Sequence, residues 1–277
     1  MTRGQILLLA LVLAGPGCAT QESHGYHEVQ VTAFSHAGYS ALLERYVDPR
    51  GHVDYGRWKA APGDVAALDE YLNLVANASP ESRPALFPAA RDRLAYWMNA
   101  YNAIVIRTIL ERWPLESVND VKSGLSFFRG QGFFKNLRFQ IGHVWLSLDD
   151  VEDRVRALDD PRMHFAMNCG SGGCPALDAT AFAGEDLDRT LERKAHDFVN
   201  DPAHVKVDPV AKKVVLSRIF DWFGDDFVHA KPGAKSVLDY IAGYADPPLA
   251  KQLVEAQAVG YELEFADYDW SVNNKAR

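Results

Sequence analysis

Across residues 88–113 apolar side chains recur at intervals of three and four: Leu94, Trp97, Met98, Tyr101, Val105, Ile109 and Leu110. That spacing predicts a long amphipathic helix, closed by Pro114. Shorter stripes predict helices over residues 39–47 (Leu42, Leu43, Tyr46, Val47), 64–76 (Leu68, Leu72, Val75, with Asp64 as the cap) and 185–200 (Leu187, Leu191, Ala195, Phe198). Residues 137–148 alternate like two strands that turn at Gly142 and His143. Ser147 with Asp150 three residues on is a capping-box signature for a following helix, and Asp149, Asp150, Glu152 and Asp153 suit the positive end of its dipole. Residues 205–208 and 213–216 read as a hairpin, and Ser217 opens a short aromatic helix. Short helices over 237–244 and 249–256 precede a last strand over 261–265. The mixture has no βαβ rhythm. It predicts one α+β domain, with the long aromatic helix packed against a small, mostly antiparallel sheet and several shorter helices.

The organising stretch is residues 161–175, PRMHFAMNCGSGGCP. Its first half alternates as a strand does, with His164, Ala166 and Asn168 on one face and Phe165, Met167 and Cys169 on the other. It then breaks into Gly170, Ser171, Gly172 and Gly173, a backbone able to turn tightly. Cys169 and Cys174 bracket this glycine loop, and Pro175 follows.

Composition narrows the setting. Of 277 residues, 48% are hydrophobic and 24% charged, as for a packed globular core, and the formal net charge is -8. An acidic chain argues against nucleic acid as the main partner and against electrostatic docking on an anionic membrane. The start of the chain carries Arg3, then an apolar run over residues 6–14 that is too short to span a bilayer. Leu13-Ala14-Gly15-Pro16-Gly17-Cys18 resembles a bacterial lipoprotein signal, with Gly17 before a lipidated Cys18, although Gly15 stands where an aliphatic residue is usual. The competing reading is ordinary cleavage after Ala19. Either one exports the protein into an oxidising compartment. The expected layout is a signal peptide over 1–19, a polar tether over 20–35 and a globular domain over 36–274, with membrane attachment only through the N-terminal lipid.

A set of motifs carries a resemblance. These are Val53-Asp54-Tyr55, residues 95–103 (AYWMNAYNA), residues 146–152 (LSLDDVE), residues 162–170 (RMHFAMNCG), Cys174-Pro175-Ala176-Leu177, residues 216–223 (LSRIFDWF) and residues 268–273 (YDWSVN). Together they resemble the domain of unknown function 547 family, found in bacterial envelope proteins and longer eukaryotic chains. The resemblance spans nearly the whole mature chain. It implies kinship and no established activity.

The chemistry rests on the two cysteines. A structural Cys169–Cys174 disulfide suits an exported chain, and would contribute about 2 kcal/mol by loop entropy. Alternatively Cys169 is a nucleophile. Strand parity puts His164 on the opposite face, so His143 is the favoured base, with Asn99, Asn102 or Asp149 to orient it. The amides Asn99 and Asn102 read more simply as buried hydrogen-bonding groups. A metal site from His164, Cys169 and Cys174 lacks a recognised spacing and a fourth ligand. No GxSxG, HExxH or P-loop is present, and no cofactor is expected. Two classes of function follow. One is a binding or scaffold lipoprotein whose aromatic groove (Trp97, Tyr101, Trp222, Trp270) holds an envelope peptide, glycan or protein. The other is a thiol hydrolase or transferase acting on envelope peptides or peptidoglycan.

Overall fold

A computed structural model describes residues 19–22, 26–122, 130–230 and 235–275. Cys18 and the apolar run before it lie outside the described residues. The helices are α1 (Ala37–Tyr46), α2 (Tyr55–Lys59), α3 (Pro62–Asn77), α4 (Ala90–Arg112), α5 (Leu148–Arg156), α6 (Leu187–Asn200), α7 (Ile219–Trp222), α8 (Gly224–Ala230), α9 (Val237–Ala242) and α10 (Pro247–Val259). The strands are β1 (Thr20–Glu22), β2 (Leu137–Ile141), β3 (Val144–Leu146), β4 (Val205–Asp208), β5 (Lys213–Leu216) and β6 (Glu262–Phe265). The class is α+β, as the pattern predicts. The sheet differs from expectation. There are two three-stranded sheets among the described residues, β1-β2-β3 and β4-β5-β6, and each joins one antiparallel pair to one parallel pair. Strands from distant parts of the chain supply the parallel edges, which local periodicity does not reveal.

Helix α4 is the core. Every residue from Leu94 to Leu110 is buried except Arg107, so this helix is enclosed all round rather than on one stripe. Ala95, Ala100 and Ala103 let neighbouring elements close in, and α3, α5 and α6 pack on it. Strand β2 buries Leu137, Phe139 and Ile141. Its turn into β3 puts Gly142 at φ 56 and His143 at φ 71, the geometry of a two-residue hairpin. Ser147 caps α5 as expected: its Oγ accepts from the Asp150 N–H at 3.1 Å, and Asp150 accepts from the Ser147 N–H at 2.8 Å.

Two local expectations fail. Helix α3 begins at Pro62, so Asp64 is not its cap; it lies in the first turn and accepts hydrogen bonds from Arg45 and from Tyr46. Within the segment expected to be a tether, Thr20–Glu22 adds to β2. Residues further on dock on α3, where the His27 and Val29 N–H groups donate to the buried amides Asn73 and Asn77 at 3.0 and 3.1 Å.

The apolar interior forms two clusters. The first surrounds α4 and the second gathers Phe165, Phe198, Phe220, Phe227 and the β4-β5-β6 sheet. Residues 161–175 run between them, with Met163 and Met167 in the first and Phe165 in the second. Among the described residues no helix is long and apolar enough to cross a membrane.

Candidate functional site

The predicted strand over the first half of 161–175 is instead a 3-10 turn over Pro161–Phe165. Asp160 accepts from the Arg162 N–H at 3.1 Å and Pro161 occupies the first helical position, so cap and proline together start a helical turn. A short apolar run does not distinguish strand from helix by period alone. The parity argument that separated His164 from Cys169 therefore falls: both line one cavity of about 660 Å³.

The segment is held there by buried amides. The Asn102 side chain donates to the Ala166 carbonyl at 3.2 Å and accepts from the Asn168 N–H at 2.8 Å. One turn earlier, Asn99 bonds both the N–H and the carbonyl of Phe182, each at 2.9 Å. Neither amide touches a cysteine, and each acts as a substitute peptide group that fixes a passing strand of chain to α4. The glycine loop then packs on two sides. Gly170 has φ 83, and a Cβ there would stand 2.5 Å from Ile109. Gly172 lies so close to the C-terminal strap that a Cβ would meet Asp269 at 2.4 Å. The strap, residues 268–273, bonds the loop backbone in both directions: the Gly172 and Gly173 N–H groups donate to the carbonyls of Ser271 and Asp269 at 2.7 and 2.8 Å, and the Asn273 N–H donates to the Gly170 carbonyl at 3.0 Å.

Cys169 and Cys174 stand at disulfide-bonding distance, with Cα atoms 6.3 Å apart. Both line the cavity; Cys169 is half-buried and Cys174 is 8% exposed. The aromatic wall comprises Tyr101, Phe134, Trp222, Phe223, Tyr268 and Trp270. Trp222, Tyr268 and Trp270 form a mutual cluster with ring centroids 4.7 to 5.8 Å apart. Trp222 is 47% exposed, at the mouth.

One side of the cavity is acidic. Asp149 and Glu152 project from α5, three residues apart, and both line the space. Lys135 lies 3.5 Å from Asp149. Glu152 has no hydrogen bond or ion pair among the described residues. Burial first, and the Asp149 charge second, push its carboxyl up from 4.5 to about 7, against the pull of Arg156. Burial likewise raises Asp149, against the pull of Lys135.

His164 is committed elsewhere. Its Nε2 lies 2.8 Å from Asp226, and its ring stacks on Phe223 at 4.0 Å. Burial lowers its pKa from 6.5 to about 4, against the opposing hydrogen bond to Asp226. Asp226 also accepts two bonds from Arg156, at 2.7 and 2.8 Å, which are the main reason its carboxyl drops to about 2.

Of the sequence candidates, the fold unites Cys169, Cys174, His164, Tyr101, Trp222 and Trp270 around one cavity. It does not bring His143 there: that residue is exposed at the β2–β3 turn, with its N–H on the Ala76 carbonyl. Trp97 is 3% exposed, carries Arg154 over its ring at 5.6 Å, and is core rather than groove. Sequence reasoning passed over Tyr268 and Glu152. The i, i+3 spacing of Asp149 and Glu152 put them on one face, but helix-dipole stabilisation accounted for them equally well. Among the described residues no group of three or more His, Cys, Asp or Glu side chains is arranged to hold a metal ion.

Residues 88–199 match the model of a family described as a protein of unknown function, DUF547. The matched span runs from α4 through α6 and carries Tyr101, both α5 carboxylates and the whole glycine loop; the Trp222–Trp270 wall lies beyond it. No curated protein and no solved structure matches the chain.

Proposed function

We propose that this chain is an exported binding protein whose cavity beside Cys169 and Cys174 takes a ligand with a ring-bearing or apolar body and an amino group. The observation that carries this reading is the pairing of an aromatic wall with a half-buried Glu152 that has no hydrogen-bond or ion-pair partner among the described residues, in the same space. Aromatic rings supply apolar area and attract cations through their faces. A carboxylate held without a partner is a cost that a ligand cation offsets. In an envelope setting this chemistry fits peptides and amino sugars. Export, with a lipid on Cys18, belongs to the same proposal; its support is Arg3, the apolar run and the cysteine after it. Fatty-acid label that persists in a Cys18→Ser variant would sink the anchoring.

The hydrolase reading receives less support. The hydrogen-bond partners of the Cys169 sulfur are hydroxyls, not an imidazole. The only histidine on this cavity among the described residues is already engaged by Asp226.

Calorimetric titration with a charge series tests the binding reading. Phenethylamine should bind more tightly than 2-phenylethanol, and 3-phenylpropionate should bind least. Glu152→Gln should remove the preference for the amine, and Trp222→Ala should weaken all three. Equal affinities for the three compounds, or a preference that survives Glu152→Gln, would remove the amine from the proposal.

A further inference from the structure

We propose that Cys169 and Cys174 form an exchange-active disulfide that reacts with thiols entering the cavity, with Cys169 as the sulfur attacked and Cys174 as the leaving thiolate. The inference rests on the cavity reading only for access; its chemistry stands on the geometry around the sulfurs.

The two cysteines are not equivalent. Cys169 is half-buried on the cavity wall, whereas Cys174 is 8% exposed. Donors converge on Cys174. Its sulfur accepts from the Cys169 N–H at 2.9 Å and the Tyr268 hydroxyl at 3.2 Å, and the Ser171 hydroxyl lies 3.4 Å away. A neutral disulfide sulfur is a poor acceptor and gains little from such donors. A thiolate gains much, because hydrogen bonds to a charged acceptor are about twice as strong. The arrangement therefore stabilises the charge that appears on Cys174 when the bond to Cys169 breaks. Ser171 Oγ, 2.9 Å from the Cys169 sulfur, and the Tyr268 hydroxyl, 3.5 Å from it, reach both ends of the bond.

The loop does not depend on the disulfide for its shape. Asn168 Nδ2 donates to the Pro175 carbonyl at 2.8 Å, which closes the same loop one residue outside the cysteines. Asn168 Oδ1 accepts from the Gly170 N–H at 2.8 Å and from Asn273 at 3.2 Å. The reduced loop keeps these bonds, so opening the disulfide leaves the wall of the cavity standing.

The reaction balances as follows. A ligand thiolate attacks Cys169 Sγ, the bond from Cys169 to Cys174 breaks, and its electron pair leaves on Cys174. The product is a mixed disulfide between the ligand and Cys169. If the ligand carries a second thiol, that group attacks the ligand's own sulfur in the mixed disulfide and expels Cys169 as thiolate. The ligand dithiol has then lost two electrons and two protons to become a disulfide, and the protein pair has gained them to become two thiols.

The test uses the full chain with Cys18→Ser, oxidised, under native conditions, with glutathione as the thiol. Samples are quenched in acid and read by mass spectrometry. The expected result is a glutathione adduct mapped to Cys169, with Cys174 free. Tyr268→Phe should slow its formation about tenfold, through loss of a hydrogen bond to a charged group, and Ser171→Ala should slow it as well. An adduct that forms only after denaturation, maps to Cys174, or forms at the wild-type rate in both variants overturns the proposal. Titration of the same oxidised protein with phenethylamine separates the two readings. Amine binding without an adduct refutes exchange alone, and an adduct without amine binding refutes the ligand reading alone.

Discussion

Replacing Glu152 by Gln removes a titrating carboxyl while keeping its size and its place on the cavity wall. In the folded chain this carboxyl gives up its proton only near pH 7, against 4.5 when exposed. A group whose folded pKa is raised contributes its full stability below the unfolded value and loses it as pH rises through the folded one. The interval from 4.5 to about 7, at about 1.4 kcal/mol per pH unit, is about 3.5 kcal/mol, and partial exposure to cavity water trims that to about 2 kcal/mol. Glu152→Gln should therefore leave stability nearly unchanged at pH 4 and raise it by about 2 kcal/mol at pH 8.5. Guanidinium denaturation at the two pH values, followed by tryptophan fluorescence, reads the difference as a shift in midpoint at constant slope. Saturating phenethylamine should close the gap at pH 8.5, because the bound cation supplies a partner to a carboxylate that has none among the described residues. A gain of equal size at both pH values, or a loss at pH 8.5, would show that this carboxylate carries no burial cost, and the argument for a cationic ligand would fall with it.

Other outcomes follow from the amides and the buried histidine. Asn102→Ala strands the Asn168 N–H and the Ala166 carbonyl, at a cost of about 2–4 kcal/mol, and Asn99→Ala does the same at Phe182. Only Asn102→Ala should also weaken amine binding in the titration, since only that amide holds the segment bearing Cys169. In a Glu152→Gln background, the His164 contribution should be complete above pH 6.5 and lost as pH falls toward 4, because burial keeps the folded imidazole neutral while the unfolded one takes up a proton. Urea midpoints should record about 3 kcal/mol over that window, and His164→Phe should flatten the profile. Below it, the Asp226 contribution should fade between pH 3.8 and about 2.

What was legible in the chain was local. The i, i+3, i+4 stripe located α4, the Gly142–His143 pair marked the β2–β3 turn, and Ser147 with Asp150 placed the start of α5, because each signal lies within a few residues of the structure it dictates. The misreadings came from competition between local signals. Alternation over 161–169 outweighed the Asp160–Pro161 helix start, and that error made His143 look like a better partner for Cys169 than His164. Trp97 and Trp222 look alike as residues, yet one is enclosed beside α4 and the other stands at the cavity mouth. Tyr268 reaches the cysteines from 94 and 99 residues away, a distance at which periodicity carries no information. That Glu152 meets no hydrogen-bond or ion-pair partner among the described residues is a property of the folded cavity, which no spacing records.

The central claim is that the ligand sits against the Trp222–Trp270 wall. The chain has six tryptophans, Trp58, Trp97, Trp113, Trp145, Trp222 and Trp270, of which only the last two line the cavity. Labelling with 5-fluorotryptophan and titrating phenethylamine by fluorine NMR reports on each of them at once. The account predicts that the Trp222 and Trp270 resonances, assigned by single Trp→Phe variants, shift together and saturate while the other four stay in place. Saturable shifts at Trp58, Trp97, Trp113 or Trp145 with Trp222 and Trp270 unmoved would contradict it.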